Sequence, residues 1–125
     1  MGSPRFTYRD DAHITAAQAI ELYKASTLGE RRPVDRPDIC KRMLRNADIV
    51  ITAWEGARLV GIGRTITDHA YAAYLSDLAV DEAYQRQGIG AGLIEAGLAR
   101  LKAMKGRGCC LVGHPDYYKK FGFAN

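Results

Sequence analysis

The chain lacks an apolar run approaching the ~20 residues that a membrane-crossing helix needs. Its opening segment carries Arg5, Arg9, Asp10 and Asp11 where a secretory leader would have an apolar core. Phe6 stands where a myristoylation signal wants Ser or Thr. No membrane partner is therefore expected. Cysteine is scarce: Cys40, Cys109 and Cys110 make an odd count with two adjacent members. That is no disulfide framework, and no Cys/His spacing suits zinc, so no metal is expected. Neighbours on a strand face opposite ways, so Cys109 and Cys110 read as reduced core thiols. Reduced thiols fit a cytoplasmic protein. Charge of either sign is modest, the net being +4, and the basic residues are scattered. Without a dense basic stripe, nucleic acid is not an expected partner. A mild positive balance better suits a small polyanionic ligand. Internal repeats, low-complexity stretches and linkers are also missing. A chain of 125 residues, 47% hydrophobic and 26% charged, then reads as one globular domain, 1–125.

What is present is a readable alternation of elements. Residues 5–9 alternate around Phe6 and Tyr8 as a short strand. Thr15-Ala16-Ala17-Gln18 is a capping box that opens a helix with Ala16, Ala19, Ile20 and Tyr23 on one face. After Gly29 and Pro33, Asp35-Arg36-Pro37 starts a second helix with Ile39, Cys40, Met43 and Leu44 as its stripe. Residues 48–54 and 58–67 form a hairpin turned at Glu55-Gly56-Ala57, and 71–80 is a third β-rich segment. Residues 88–105 place Ile89, Leu93, Ile94, Leu98 and Leu101 on one helical face. Residues 109–112 read as a buried strand and 115–121 as a helical turn or two. The order β, α, α, β, β, β, α, β, α implies an α/β (mixed α+β) domain, a mixed sheet with helices on its faces.

The most informative stretch follows Leu78-Ala79-Val80. There a strand ends, a short loop follows, and Gly88 and Gly90 open an amphipathic helix. Glycine lets backbone approach a ligand closely. The first amides of a helix have no internal partner and sit at the positive end of its dipole, which suits a pyrophosphate. A plain helix start, with glycine serving only the turn, fits the loop composition equally well. A dinucleotide loop needs a further glycine where Leu93 stands. A P-loop needs Gly-Lys-Ser/Thr where Gly90-Ala91-Gly92 stands.

Gln85-Arg86-Gln87-Gly88-Ile89-Gly90 resembles the Gln/Arg-x-x-Gly-x-Gly/Ala signature of the GNAT acetyltransferases. Leu78-Ala79-Val80 resembles the end of that family's splayed fourth strand. Tyr118-Lys119-Lys120-Phe121-Gly122-Phe123 resembles its Tyr-x-x-x-Gly-Phe segment, with a likeness to small bacterial members and to the serotonin N-acetyltransferase branch. The resemblance implies a GNAT fold with a mostly antiparallel sheet, acetyl-CoA as cosubstrate and an amine as acceptor. It implies that amides of Arg86, Gln87, Gly88, Ile89, Gly90 and Ala91, after Gln85, hold the pyrophosphate. It implies that Leu78, Ala79 and Val80 border the pantetheine arm, with Leu78 and Val80 pairing to it as an added strand. The Leu78 amide would face the thioester carbonyl, and Tyr118 would sit near the sulfur as the acid. On its own residues, without the resemblance, Tyr118 reads more readily as an aromatic packing a helix end against the core.

The base is less defined. Asp77, on the strand beside Leu78, is the first candidate. Asp68, His69 and His114 follow it, and a water chain without a dedicated residue stands beside them. Arg31, Arg32 and Arg36 read as a solvated face or as an attractor of acidic acceptors. The segment 113–117 lacks the asparagine that many members use on the cofactor. The chain stops at Phe123-Ala124-Asn125, where the family continues into a further strand. The expectation is a missing or truncated C-terminal strand, with a homodimer covering the sheet edge as one way to complete it. The expected function is N-acetyl transfer to a primary amine of a small molecule or polypeptide, in a ternary complex. A non-catalytic acyl-CoA sensor or scaffold is the alternative.

Overall fold

The structure, a computed structural model, describes residues 5–69 and 73–103. Strands β1 (Thr7–Arg9), β2 (Ile49–Glu55), β3 (Arg58–Thr67) and β4 (Ala73–Val80) form one antiparallel sheet in sequence order. Helices α1 (Ala16–Ala25) and α2 (Pro37–Asn46) lie between β1 and β2, and α3 (Ile89–Ala103) follows β4. The expected order is met over these residues. The strand expected at 109–112 and the turn at 115–121 lie outside the described residues.

The pattern of the strands sorts their side chains. Ile49, Ile51 and Ala53 of β2 pack with Ile89, Leu93 and Leu101 of α3 on one face. Ile62 of β3 and Ala79 of β4 pack with Ala19, Leu22 and Tyr23 of α1 on the other. Helices thus cover both faces, as a strand buried on both sides requires. The β2–β3 turn is the two-residue Gly56-Ala57, since Glu55 pairs with Arg58. Gly56 adopts φ 58°, the left-handed conformation that such tight hairpins use.

The start of α1 is the anticipated capping box. Gln18 N–H donates to Thr15 Oγ1 at 3.1 Å, and Thr15 N–H donates to Gln18 Oε1 at 2.8 Å. Both otherwise orphan donors are satisfied. The helix ends at Ser26, whose hydroxyl donates to Tyr23 O and accepts from Leu28 N–H. A 3-10 turn, Thr27–Arg31, then folds back against the end of α1. Gly29 permits this return. A Cβ there would stand 2.7 Å from the Tyr23 carbonyl oxygen and 3.1 Å from Lys24 Cα, both backbone atoms that cannot rotate away. Gly29→Ala is expected to destabilise the chain by roughly 1–3 kcal/mol. A urea titration would show this as a lower midpoint with an unchanged slope.

Candidate functional site

Three residues before α3 shape the glycine loop. Arg86 has φ 64° and Gly88 has φ 83°, while Gln87 between them is not in the positive region. Alternating signs turn successive amides toward one side, the arrangement that makes an anion-binding nest. The first bond of the helical ladder here runs from Gly92 N–H to Gly88 O at 3.0 Å. The amides of Ile89, Gly90 and Ala91 therefore precede the ladder, as at any helix start. Among the described residues no side chain caps them. A Cβ at Gly88 would meet nothing within 4 Å, so the space in front of the loop is open.

Strand β4 presents its own groups beside that loop. Asp81 N–H donates to Val60 O of β3 at 3.0 Å. Backbone direction alternates along a strand, so Ala79 also points its amide to β3. Leu78 and Val80 point theirs away from β3, free of that ladder. The Val80 carbonyl accepts from Gln85 Nε2 at 3.3 Å, which ties the loop to the strand end.

These two features meet in an open pocket of about 530 Å³. Leu78, Ala79, Val80, Gln85, Arg86, Gly88, Ile89, Gly90 and Ala91 line it on one side. Ser26, Thr27 and Tyr84 complete the lining. Gln87 is absent from the wall and instead accepts from Arg5 Nη1 at 2.6 Å. Arg5 Nε also reaches Glu55 Oε2 at 2.5 Å, and Tyr84 OH donates to Glu55 Oε1 at 2.8 Å. Hydrogen bonds from Arg5 and Tyr84 hold the Glu55 carboxyl below its ordinary range. Arg58 stacks over the Tyr84 ring at 5.1 Å. The loop is thus latched from behind to Arg5, ahead of β1, and to Glu55 at the end of β2, which leaves its amides facing outward.

Asp77 lies next to Leu78 in a different setting. Its side chain is 0% exposed. Tyr23 OH donates to Oδ2 at 2.7 Å, Arg64 Nε donates to Oδ2 at 2.6 Å, and Arg32 Nε donates to Oδ1 at 2.7 Å. Burial pushes the Asp77 carboxyl up, but hydrogen bonds from Arg64 and Tyr23 and the charge of Arg64 outweigh it, leaving the group below its ordinary range. Burial, then the Asp77 charge, pushes the Tyr23 phenol up. A carboxylate held ionised by this many donors is a poor proton acceptor.

A sequence profile described as Acetyltransferase (GNAT) domain matches residues 46–125, more than half of the chain. The chain belongs to the GNAT acetyltransferase family. It is 26% identical over 125 residues to the uncharacterized N-acetyltransferase ycf52 of the red alga Pyropia yezoensis, covering 90% of this chain and 70% of that protein. Over 41 residues it is 49% identical to the histone acetyltransferase TAP1 of soybean, 33% of this chain and 18% of that one. A GNAT acetyltransferase from Brucella melitensis, solved in complex with acetyl-CoA, superposes with a TM-score of 0.78 at 25% identity, over 96% of this chain and 83% of its own.

Within the GNAT frame, the structure brings Leu78–Val80 and the glycine loop together around one pocket, Gln87 excepted. It places the Asp77 carboxylate on the face of β4 that meets α1, enclosed by Tyr23, Arg32 and Arg64. His69, at φ 62°, bonds through Nε2 to Asp48 Oδ1 at 2.8 Å in the β3–β4 connection. Thr67 pairs with Ala73, so Leu78 lies further along β4 by on the order of 15 Å at ~3.3 Å per residue. Asp68 and His69 are too far from Leu78 to act there. Tyr117, Tyr118 and His114 lie outside the described residues. Sequence reasoning missed Ser26, Thr27 and Tyr84. Tyr84 carried a signal, an aromatic fixed before the glycine loop. Ser26 and Thr27 enter only through the folding back of the chain after α1. Among the described residues, no group of three or more His, Cys, Asp or Glu side chains is placed to hold a metal ion. No described helix is long and apolar enough to cross a membrane.

Proposed function

We propose that this chain is an acetyl-CoA-dependent N-acetyltransferase acting on a primary amine. The observation that carries the reading is the pair of open backbone surfaces on one pocket. Outward amides of the glycine loop suit a pyrophosphate, and the amides of Leu78 and Val80, turned away from β3, suit an extended amide-bearing arm. The acetyl-CoA complex of the Brucella relative supports the same occupant here. Acetyl-CoA supplies an activated acyl group with a thiol leaving group. The other functions fall to this chain's residues. The amides of Arg86, Gly88, Ile89, Gly90 and Ala91 hold the diphosphate, following Gln85, while Gln87 braces the loop through Arg5. Leu78, Ala79 and Val80 border the arm. The Leu78 amide donates to the carbonyl oxygen as negative charge develops, a role whose loss typically costs about 10²–10³ in rate. Tyr118 protonates the departing thiolate. We assign the loss of the amine proton to solvent water, because Asp77 is enclosed by Tyr23, Arg32 and Arg64. Asp77 then serves as an anchor.

Thiol release from acetyl-CoA in the presence of a panel of primary amines tests the activity. An amine-dependent rate, with acetylated amine in the products, is expected. Tight acetyl-CoA binding with no amine-dependent release would replace the enzyme by an acyl-CoA sensor.

A further inference from the structure

Strand β4 is not regular where it matters. Arg64 of β3 pairs with Asp77, and the next residue, Thr65, pairs with Leu75. Ser76 is left without a partner, a bulge placed two residues before Leu78. An unpaired residue weakens the ladder and re-aims the residues beyond it. Here the hydroxyl and the carbonyl of the bulge residue are both held. Arg64 Nη2 donates to Ser76 Oγ at 3.0 Å, and Arg32 Nη2 donates to Ser76 O at 2.9 Å. The same guanidinium groups grip Asp77, Arg64 through Nε and Arg32 through Nε and Nη2, the latter at 2.6 Å. Arg32 follows the 3-10 turn whose N-cap Ser26 and first residue Thr27 line the pocket. Two planar forks thus fix a serine and an aspartate in consecutive positions, which a point charge such as lysine cannot do.

We propose that Arg32 is a positioning residue: by clamping the Ser76 bulge and Asp77 it sets the direction of the Leu78 amide, coupling the segment after α1 to the site of acyl transfer. The inference rests on the acetyl-CoA reading above. Arg32 acts through β4 and touches no reacting atom. Its side chain is 20% exposed, whereas that of Arg64 is 7% exposed, so Arg32 is the member whose removal leaves the core standing. A shift of about 1 Å in such a donor is worth on the order of 10²-fold in rate.

The test uses the full chain labelled with ¹⁵N and titrated separately with CoA and acetyl-CoA. In the wild type, Gly88 and Gly90 amides respond alike to both, while Leu78 responds more to acetyl-CoA because only it carries the carbonyl. In Arg32→Ala the Gly88 and Gly90 responses persist and the extra Leu78 response is lost. In turnover, kcat falls by about 10²-fold with the KM for acetyl-CoA within about threefold. Arg32→Lys, which keeps the charge beside Asp77 and the fold, gives an intermediate Leu78 response. An undiminished Leu78 response in both variants overturns the clamp alone. Equal loss at Gly88, Gly90 and Leu78 also overturns it, by making Arg32 a general support of the fold. Silence of Gly88 and Gly90 in the wild type overturns the acetyl-CoA reading, and the clamp's purpose with it.

Discussion

Replacing Asp77 by alanine is expected to lower the unfolding free energy by about 3–5 kcal/mol, the range for breaking a buried ion pair from one side. The cause is the three partners the substitution leaves behind, Arg32 among them. Arg64, 7% exposed, would lose its counter-charge, and the buried Tyr23 hydroxyl would lose its acceptor. Asp77→Asn keeps an acceptor for Tyr23 but removes the charge, so a smaller loss is expected. Acid unfolding should carry the same signature. The Asp77 carboxyl is held below its ordinary range in the folded chain. A depressed carboxyl contributes fully above the unfolded value of ~3.9 and loses that contribution as pH falls through the folded value. Wild-type stability should therefore drop below about pH 4 by more than that of Asp77→Ala. The experiment is urea denaturation of both proteins across acid pH. A variant as stable as the wild type, but catalytically dead with an altered pH–rate profile, would return Asp77 to the role of base.

Tyr118→Phe is expected to lower kcat by about 10²–10³-fold with little change in acetyl-CoA affinity. A phenol with a pKa of ~10 is protonated at neutral pH and can donate to a thiolate whose thiol has a pKa of ~8.5. Phenylalanine keeps the ring and its packing but removes the proton. A purely structural aromatic would tolerate the change. Thiol release measured at saturating acetyl-CoA, beside a calorimetric titration of CoA, separates the two. Unchanged turnover would leave the departing thiolate to solvent and remove Tyr118 from the chemistry.

Much of this architecture was legible because local signals agreed with it. The capping box at Thr15 and Gln18 marks the start of α1, and the alternation of 58–67 matches β3 at both ends. The glycine loop was legible for a related reason. Its chemistry belongs to backbone, and glycine spacing reports backbone conformation directly. The environment of Asp77 was not legible, because sequence shows only that it neighbours Leu78. Its partners Tyr23 and Arg32 lie 54 and 45 positions away, and the bulge at Ser76 leaves no mark in composition. Arg32 likewise reads as one more charge on a solvated face until the segment after α1 folds back on β4. Ser26 and Thr27 reach the pocket by the same return, which Gly29 allows.

The central claim is that the outward amides between Arg86 and Ala91 hold a diphosphate beside the edge of β4 that faces away from β3. The most direct measurement is thermal unfolding with saturating CoA, acetyl-CoA or ATP, since a ligand of the folded state alone raises the melting temperature. A rise is expected with both ligands that carry the pantetheine arm, and a much smaller one with ATP, which lacks it. Equal rises with all three, or none with CoA, would contradict the claim.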